Sequence, residues 1–276
     1  MSQAQASPAW ASTAVGDLLR GPCQDTTVRA STKLASYLSV PRPGTGTDTM
    51  ALLSEEAVRL PIGVVLANAE LPEAGSTVVI GNGSIASGEH TWRPARWWDP
   101  RPRLSAEDLF RHGPELLFAL EKEPYGSFGL PLAEALALAR ALADGDAGPA
   151  LGVIGLGPGL TPSGDDVIAG ALAVLALGGR LESRTRTLIA ACASTRTTAL
   201  SAALIAAASR GQVIPQAATL LGALAAGATA HRLASAATQL FCVGATSGHD
   251  LCAGMAGALI ASASAPARPA QALSSP

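Results

Sequence analysis

Charge is scarce in this sequence: 14% of residues are Asp, Glu, Lys or Arg, and the formal net charge is −2. The basic residues are nearly all arginine, with Lys33 and Lys122 the only lysines. A groove of phosphate-neutralising side chains is excluded at the level of the whole chain, so no nucleic-acid partner is expected. Cysteine is also rare. Cys23, Cys192, Cys242 and Cys252 form no C-x-x-C pair and no zinc spacing, which excludes a disulfide scaffold and a structural zinc site. No uninterrupted apolar run reaches the ~18–20 residues that a membrane span needs; the richest, 167–179, is shorter and broken by glycine. The opening MSQAQASPAWAS has neither a positive n-region nor an apolar h-region. The expectation is a cytoplasmic chain with no membrane association.

What is present is apolar. Of 276 residues, 48% are hydrophobic, enough to build a core without staples. Residues 1–15 and 263–276 are rich in Ala, Ser and Pro and are expected to be disordered. Residues 16–103 are β-like: TTVRAS, VRLPIGVVLANA, STVVIGNGSI and EHTWRPARWW alternate with turn signals at PRPGTG, LPEAG and GNG. That spacing suggests a small barrel or a sandwich. From 104 to 262 the text turns helical. SAEDLFRHGPELLFALEKE reads as one amphipathic helix capped by Ser105, Leu132 to Ala143 as a second, and Ala-dense segments follow near 164–178, 182–193, 198–209, 215–226, 231–240 and 248–261. The fold class expected is α+β, a β-rich module followed by an Ala-rich helical bundle. The cluster Trp92, Arg93, Arg96, Trp97, Trp98 is expected at the seam between the two.

The stretch 151–177, LGVIGLGPGLTPSGDDVIAGALAVLAL, carries the chemistry. It reads as a short strand, a Gly-Pro loop through Gly159, and a helix start whose backbone N–H groups face outward. It is not a nucleotide loop. Leu160 breaks the dinucleotide fingerprint, and Asp165 and Asp166 stand where a phosphate loop needs Lys and Ser/Thr. A carboxylate there repels phosphate by about 1–4 kcal/mol at ~4 Å. One reading is a capping box, Ser163 at the N-cap with Asp166 returning the bond. An internal echo adds a second. S-G-x-D-x-x-A-G occurs at Ser163–Gly170 and again at Ser247–Gly254, with Thr161 and Thr246 just upstream. If the Ala-Gly pairs let the two helices cross closely, their N-termini converge on one pocket. It would hold the Ser163-Gly164 and Ser247-Gly248 N–H groups and the carboxylates of Asp165, Asp166 and Asp250. His249, inside the second copy, is an acid–base candidate or a solvent-facing first-turn residue. Between the copies, Ser194-Thr-Arg-Thr-Thr198 is expected to open a helix, with Arg196, Thr197 and Thr198 holding an anion. Its order resembles the carbamoyl-phosphate loop of aspartate and ornithine carbamoyltransferases, but the flanking text lacks that family's alternating strands and helices.

GLGPGLTPSGDD, followed by Thr197-Thr198, Ser201, Thr246-Ser-Gly248, Asp250 and Ala253-Gly254, resembles the AllH-like family of bacterial proteins over most of 150–260 and, more loosely, over the β-rich front, where Trp98-Asp-Pro100 fits. The resemblance implies a subunit of oxamate carbamoyltransferase, which interconverts oxalurate and phosphate with oxamate and carbamoyl phosphate and works beside companion subunits. It implies a small-molecule substrate and an oligomer. His249 is not among the residues that carry the resemblance; its candidacy rests on its place inside the second copy of the motif. On this basis Asp165, Asp166, His249 and Asp250 are the catalytic candidates. Gly159, Thr161, Ser163, Gly164, Arg196, Thr197, Thr198, Ser247 and Gly248 are the binding candidates. A Mg²⁺ on Asp165 and Asp166 would relieve their repulsion of phosphate. Two other readings stay open: a hydrolase or ring-opening enzyme acting on a cyclic amide or ureide, and a non-catalytic subunit of a larger complex.

Overall fold

The computed structural model describes residues 6–42, 46–124 and 126–264. Among these, eight strands close a barrel: β1 (Ser7–Ser12), β2 (Gln24–Ser31), β3 (Ala35–Arg42), β4 (Gly46–Leu53), β5 (Gly63–Leu66), β6 (Thr77–Gly81), β7 (Ser84–Ser87) and β8 (His90–Trp98). Their order around the barrel is β1-β5-β4-β3-β2-β6-β7-β8. Pairing is antiparallel except for β4 with β5 and the closing pair β1 with β8, which runs Ser7 opposite Trp92 to Ser12 opposite Trp98. Of the two β architectures the sequence allows, the barrel is the one formed. Period-2 alternation turns Val28, Leu38, Val40, Val64, Leu66, Val78 and Ile80 inward into one core. The β6–β7 turn is the GNG signal, with Asn82 and Gly83 both at positive φ (48° and 72°) as a two-residue hairpin demands.

Two sequence expectations change here. Ser7–Ser12, assigned to a structureless lead, is the strand that closes the barrel. Its Ala9 and Ala11 are small because they fill the interior, which reads as low complexity in sequence. The tryptophan cluster is not at the seam between modules. Trp92 lies in the barrel core, Trp98 packs with Trp10 over Ala51, Leu53 and Val65, and Arg20 sits 4.8 Å above the Trp97 ring.

The helices are α1 (Gly16–Arg20), α2 (Ala106–His112), α3 (Leu117–Leu120), α4 (Leu132–Ala143), α5 (Gly148–Val153), α6 (Ser163–Leu177), α7 (Ser183–Arg196), α8 (Ala199–Ala208), α9 (Pro215–Ala225), α10 (Ala230–Phe241) and α11 (Ser247–Ser264). The last overruns the expected helical limit at 262, and the tail from 265 lies outside the described residues. The single helix expected over 105–123 is broken. Pro114 has no N–H to donate, and Gly113 packs so close to α11 that a Cβ there would lie 2.6 Å from the Leu259 Cβ. The text before the Gly-Pro loop is not a strand but α5, entered by Pro149 with the Asp146 carboxylate on the Gly148 N–H at 2.8 Å.

The helical core is centred on α6 and α11. Every residue of α6 from Ser163 to Leu175 is buried, as is α11 from Cys252 to Leu259. The two cross through reciprocal glycines. A Cβ at Gly170 would strike the Leu251 carbonyl oxygen and lie 2.9 Å from the Met255 nitrogen; one at Gly254 would strike the Val167 carbonyl oxygen. α9 and α10 lay i, i+3, i+4, i+7 stripes on this core, Ala217, Leu220, Leu221, Leu224 and Leu233, Ala236, Ala237, Leu240. α8 joins the two modules. Its Leu200 and Ala207 belong to the barrel core while Ile205 and Ala208 belong to the helical one. The backbone obstacles at the crossing predict that Gly170→Ala and Gly254→Ala each destabilise the fold by about 1–3 kcal/mol. Gly222→Ala in α9, where a Cβ meets nothing, should stabilise it by about 0.5–1 kcal/mol. Urea unfolding of the three variants checks the contrast.

Candidate functional site

The glycine crossing brings the first turns of α6 and α11 together. Thr161 Oγ1 lies 3.0 Å from Ser247 Oγ, and Ser163 Oγ lies 3.4 Å from Thr246 Oγ1. Each Thr-Ser pair thus spans both copies of the duplicated motif, and the contact is direct, hydroxyl to hydroxyl. The carboxylates follow the same exchange. Asp166 is approached by the hydroxyls of Ser247 and Thr161, and Asp250 by those of Ser163 and Thr246.

Four side-chain hydroxyls and two acids therefore form one approximately two-fold network. The two carboxyls differ in their backbone partners. Asp250, fully buried, also accepts the Gly129 N–H (3.0 and 3.3 Å to its two oxygens) and the Leu130 N–H (3.2 Å). Asp166 is 9% exposed, and its Oδ2 is buried with no hydrogen-bond partner among the described residues.

That asymmetry gives Asp166 unusual acidity. Burial pushes its pKa up to about 8; the charges of Asp250 and Asp165 add to the rise, while the Ser247 and Thr161 hydroxyls oppose it. Asp250 is also raised by burial, and the Leu130 N–H, the Ser163 and Thr246 hydroxyls and the Gly129 N–H pull it back. At neutral pH Asp166 is a carboxylic acid, able to give or take a proton.

The other candidates occupy different roles. Pro162, not Ser163, is the N-cap of α6, and it makes no side-chain cap bond, so the capping box is not formed. Ser163 instead reaches across to the second copy. The shared glycines are packing requirements: a Cβ on Gly164 would strike the Val153 carbonyl oxygen, and one on Gly248 the Leu240 carbonyl oxygen. Nor are their N–H groups free. Gly164 donates to Leu156 O at 3.0 Å and Gly248 to Val243 O at 2.9 Å. Gly159 sits in the exposed loop at positive φ with nothing near its Cβ position.

Asp165 and Asp166 are consecutive on a helix and so point about 100° apart. Asp165, 1% exposed, accepts from the Gly155 N–H (2.9 Å), Ser201 Oγ (2.7 Å) and Thr197 Oγ1, riveting the loop and the α7–α8 junction to α6. The two do not form a magnesium cradle, and no cluster of three or more His, Cys, Asp or Glu among the described residues is arranged to hold a metal.

The expected anion site also fails to assemble. Ser194, Thr195 and Arg196 end α7 instead of opening a helix. Ser194 and Thr195 bond back to carbonyls of their own helix, and Arg196 donates to Leu151 O at 2.6 Å. Thr198 does cap α8, accepting from Ser201 N at 3.0 Å, and donates to Leu160 O at 2.6 Å. His249 is buried instead of facing solvent. Its ring stacks on Phe241 (4.3 Å, 6°), meets Phe128 edge-on and holds Glu123 Oε2 at 3.0 Å.

Several members of the site were not among the sequence candidates. Thr246 and Ser201 had a signal, since both stand in the duplicated or family-like text. Gly129, Leu130 and Glu123 had none, because they meet α11 across some 120 residues of sequence.

Two outcomes are expected from these acids. Between the unfolded value of 3.8 and about 8, folded Asp166 keeps a proton that the unfolded chain has lost. Its contribution to stability therefore falls as pH rises through that window and levels above it. Asp166→Asn removes the slope, and thermal unfolding at a series of pH values should show the variant gaining on the parent toward pH 8. Asp165→Ala strands three donors and should cost about 3 kcal/mol or more, read by denaturant unfolding.

A family model described as oxamate carbamoyltransferase subunit AllH matches residues 153–259. No curated protein and no solved structure matches the chain. No helix among the described residues is long and apolar enough to cross a membrane. The matched span contains both helix entrances, Asp165, Asp166, Asp250 and the glycine crossing, and over that span the chain is similar to the AllH family.

Proposed function

We propose that the chain is a substrate-binding, proton-handling subunit of a carbamoyltransferase, acting on the amide end of oxamate or oxalurate at Asp166. The observation that carries this reading is the buried, unpartnered Oδ2 of Asp166 at the meeting of two hydroxyl-bearing helix starts. Its twin Asp250 accepts two peptide N–H groups, so the chemistry that complements this environment is an amide or ureide nitrogen.

A carboxyl group with a pKa of about 8 suits transfer in both directions. When the oxamate nitrogen attacks the carbamoyl carbon of carbamoyl phosphate, a C–N bond forms and the C–O bond to phosphate breaks. The nitrogen gives up one proton, for which ionised Asp166 is the acceptor. In the reverse direction protonated Asp166 returns it to the departing oxamate nitrogen. Thr161 and Ser247 orient the carboxyl through their hydroxyls. In this scheme companion subunits supply the phosphate pocket, and Arg196, whose Nη1 donates to Leu151 O, is assigned no contact with phosphate.

Asp166→Asn keeps the shape and removes the proton. In the complex reconstituted with its companion chains, turnover of oxalurate and phosphate should fall about 10²–10⁴-fold, while oxamate still binds the isolated chain by calorimetry. Unchanged turnover overturns the acid–base role. Ammonia release from oxalurate with no phosphate requirement would instead make the site hydrolytic.

A further inference from the structure

Asp250 is wholly buried, and the peptide that covers it runs from the exposed Gly129 to the buried Leu130. Gly129 is exposed, and residues 128–131 belong to neither helix nor strand. Polar ties hold this segment through the Gly129 and Leu130 N–H groups on Asp250 and Glu123 on His249, and the Leu130 and Phe128 side chains pack into the helical core beside them. His249, in the same first turn of α11, is nine-tenths buried, and its Nδ1 has no partner among the described residues. In one half the carboxyl is satisfied by the chain; in the other it is not.

We propose that the Asp250 half is a second binding site for an amide or ureide, built like the first and held shut by the chain's own Gly129–Leu130 peptide. The inference rests on the reading of Asp166 as an acceptor of amide N–H. Two successive peptide N–H groups and the N–H groups of a ureide offer a carboxylate the same partners. A tethered peptide competes at high effective concentration. Free ligand therefore enters this half only above the concentration that fills the Asp166 half, and binding has two steps.

Hydrogen exchange of the full chain, titrated with oxamate, tests this. Beyond saturation of the first step, the Gly129 and Leu130 amides should exchange about tenfold faster, because the ligand has taken their acceptor. Gly129→Ala provides the second arm. Its methyl has no room against Ser163 Oγ and would lie 2.9 Å from Asp250 Oδ2, so the peptide should loosen and calorimetry should count two oxamates per chain where the parent at the same concentration binds one. Glu123→Gln, which weakens the other tie and leaves Asp166, Asp250 and the four hydroxyls of the network in place, should shift the second step the same way. One equivalent in both variants, with exchange at Gly129 and Leu130 unchanged by oxamate in the parent, overturns the second site and leaves the Asp166 reading standing. No oxamate bound by any form overturns both.

Discussion

The structure depends on two helices touching where neither has a side chain. Gly170 and Gly254 each admit the other helix's backbone, and this contact sets the spacing of everything upstream of it. A helix advances about 1.5 Å per residue, so first turns lying one to two turns before a crossing stay close only if the crossing is tight. The reciprocal hydroxyl contacts and the crossed pairing of Asp166 and Asp250 follow from that spacing. Bulk at either glycine would separate the entrances before it disturbed anything else in the core.

Burial then converts geometry into chemistry. α6 is enclosed along nearly its whole length, and a carboxyl at the mouth of such a helix keeps its charge only if enough donors face it. Asp165 finds three and is a rivet. Asp250 finds two backbone amides besides its hydroxyls. Asp166 finds hydroxyls alone and holds its proton instead. Three acids in one motif family thus have three fates, decided by the donors that face each: the 155 loop with α8, the 129–130 peptide, or, among the described residues, no backbone amide at all.

The repeats in the sequence were enough to bring the entrances together, because S-G-x-D-x-x-A-G records a symmetric contact and each of its small residues has a packing reason. The barrel was legible as β text with turn signals, and the six Ala-dense segments correspond to α6 through α11. The errors share a cause. Residues 151–154, the broken helix at Gly113-Pro114 and the Ser194–Thr198 junction are places where local pattern fits more than one element and a distant neighbour decides. Arg196 could not be assigned without knowing that the end of α5 supplies the carbonyl it meets. β1 was missed because alanine in a barrel interior looks like alanine in a tail. The cover over Asp250 was invisible because hydrogen bonds from backbone amides leave no mark on residue identity.

Helix α8 has a consequence for how the molecule can be divided. One of its faces completes the barrel interior through Leu200 and Ala207, and the Thr49 hydroxyl reaches its first carbonyl at 3.2 Å. Yet α8 lies within the family-matched span and is bound through Ser201 to Asp165. Excising 153–259 as an autonomous unit would leave an apolar helix flank facing water and the β-cylinder without part of its filling. Loss of the cylinder would therefore also loosen the Ser201 hydroxyl's hold on Asp165.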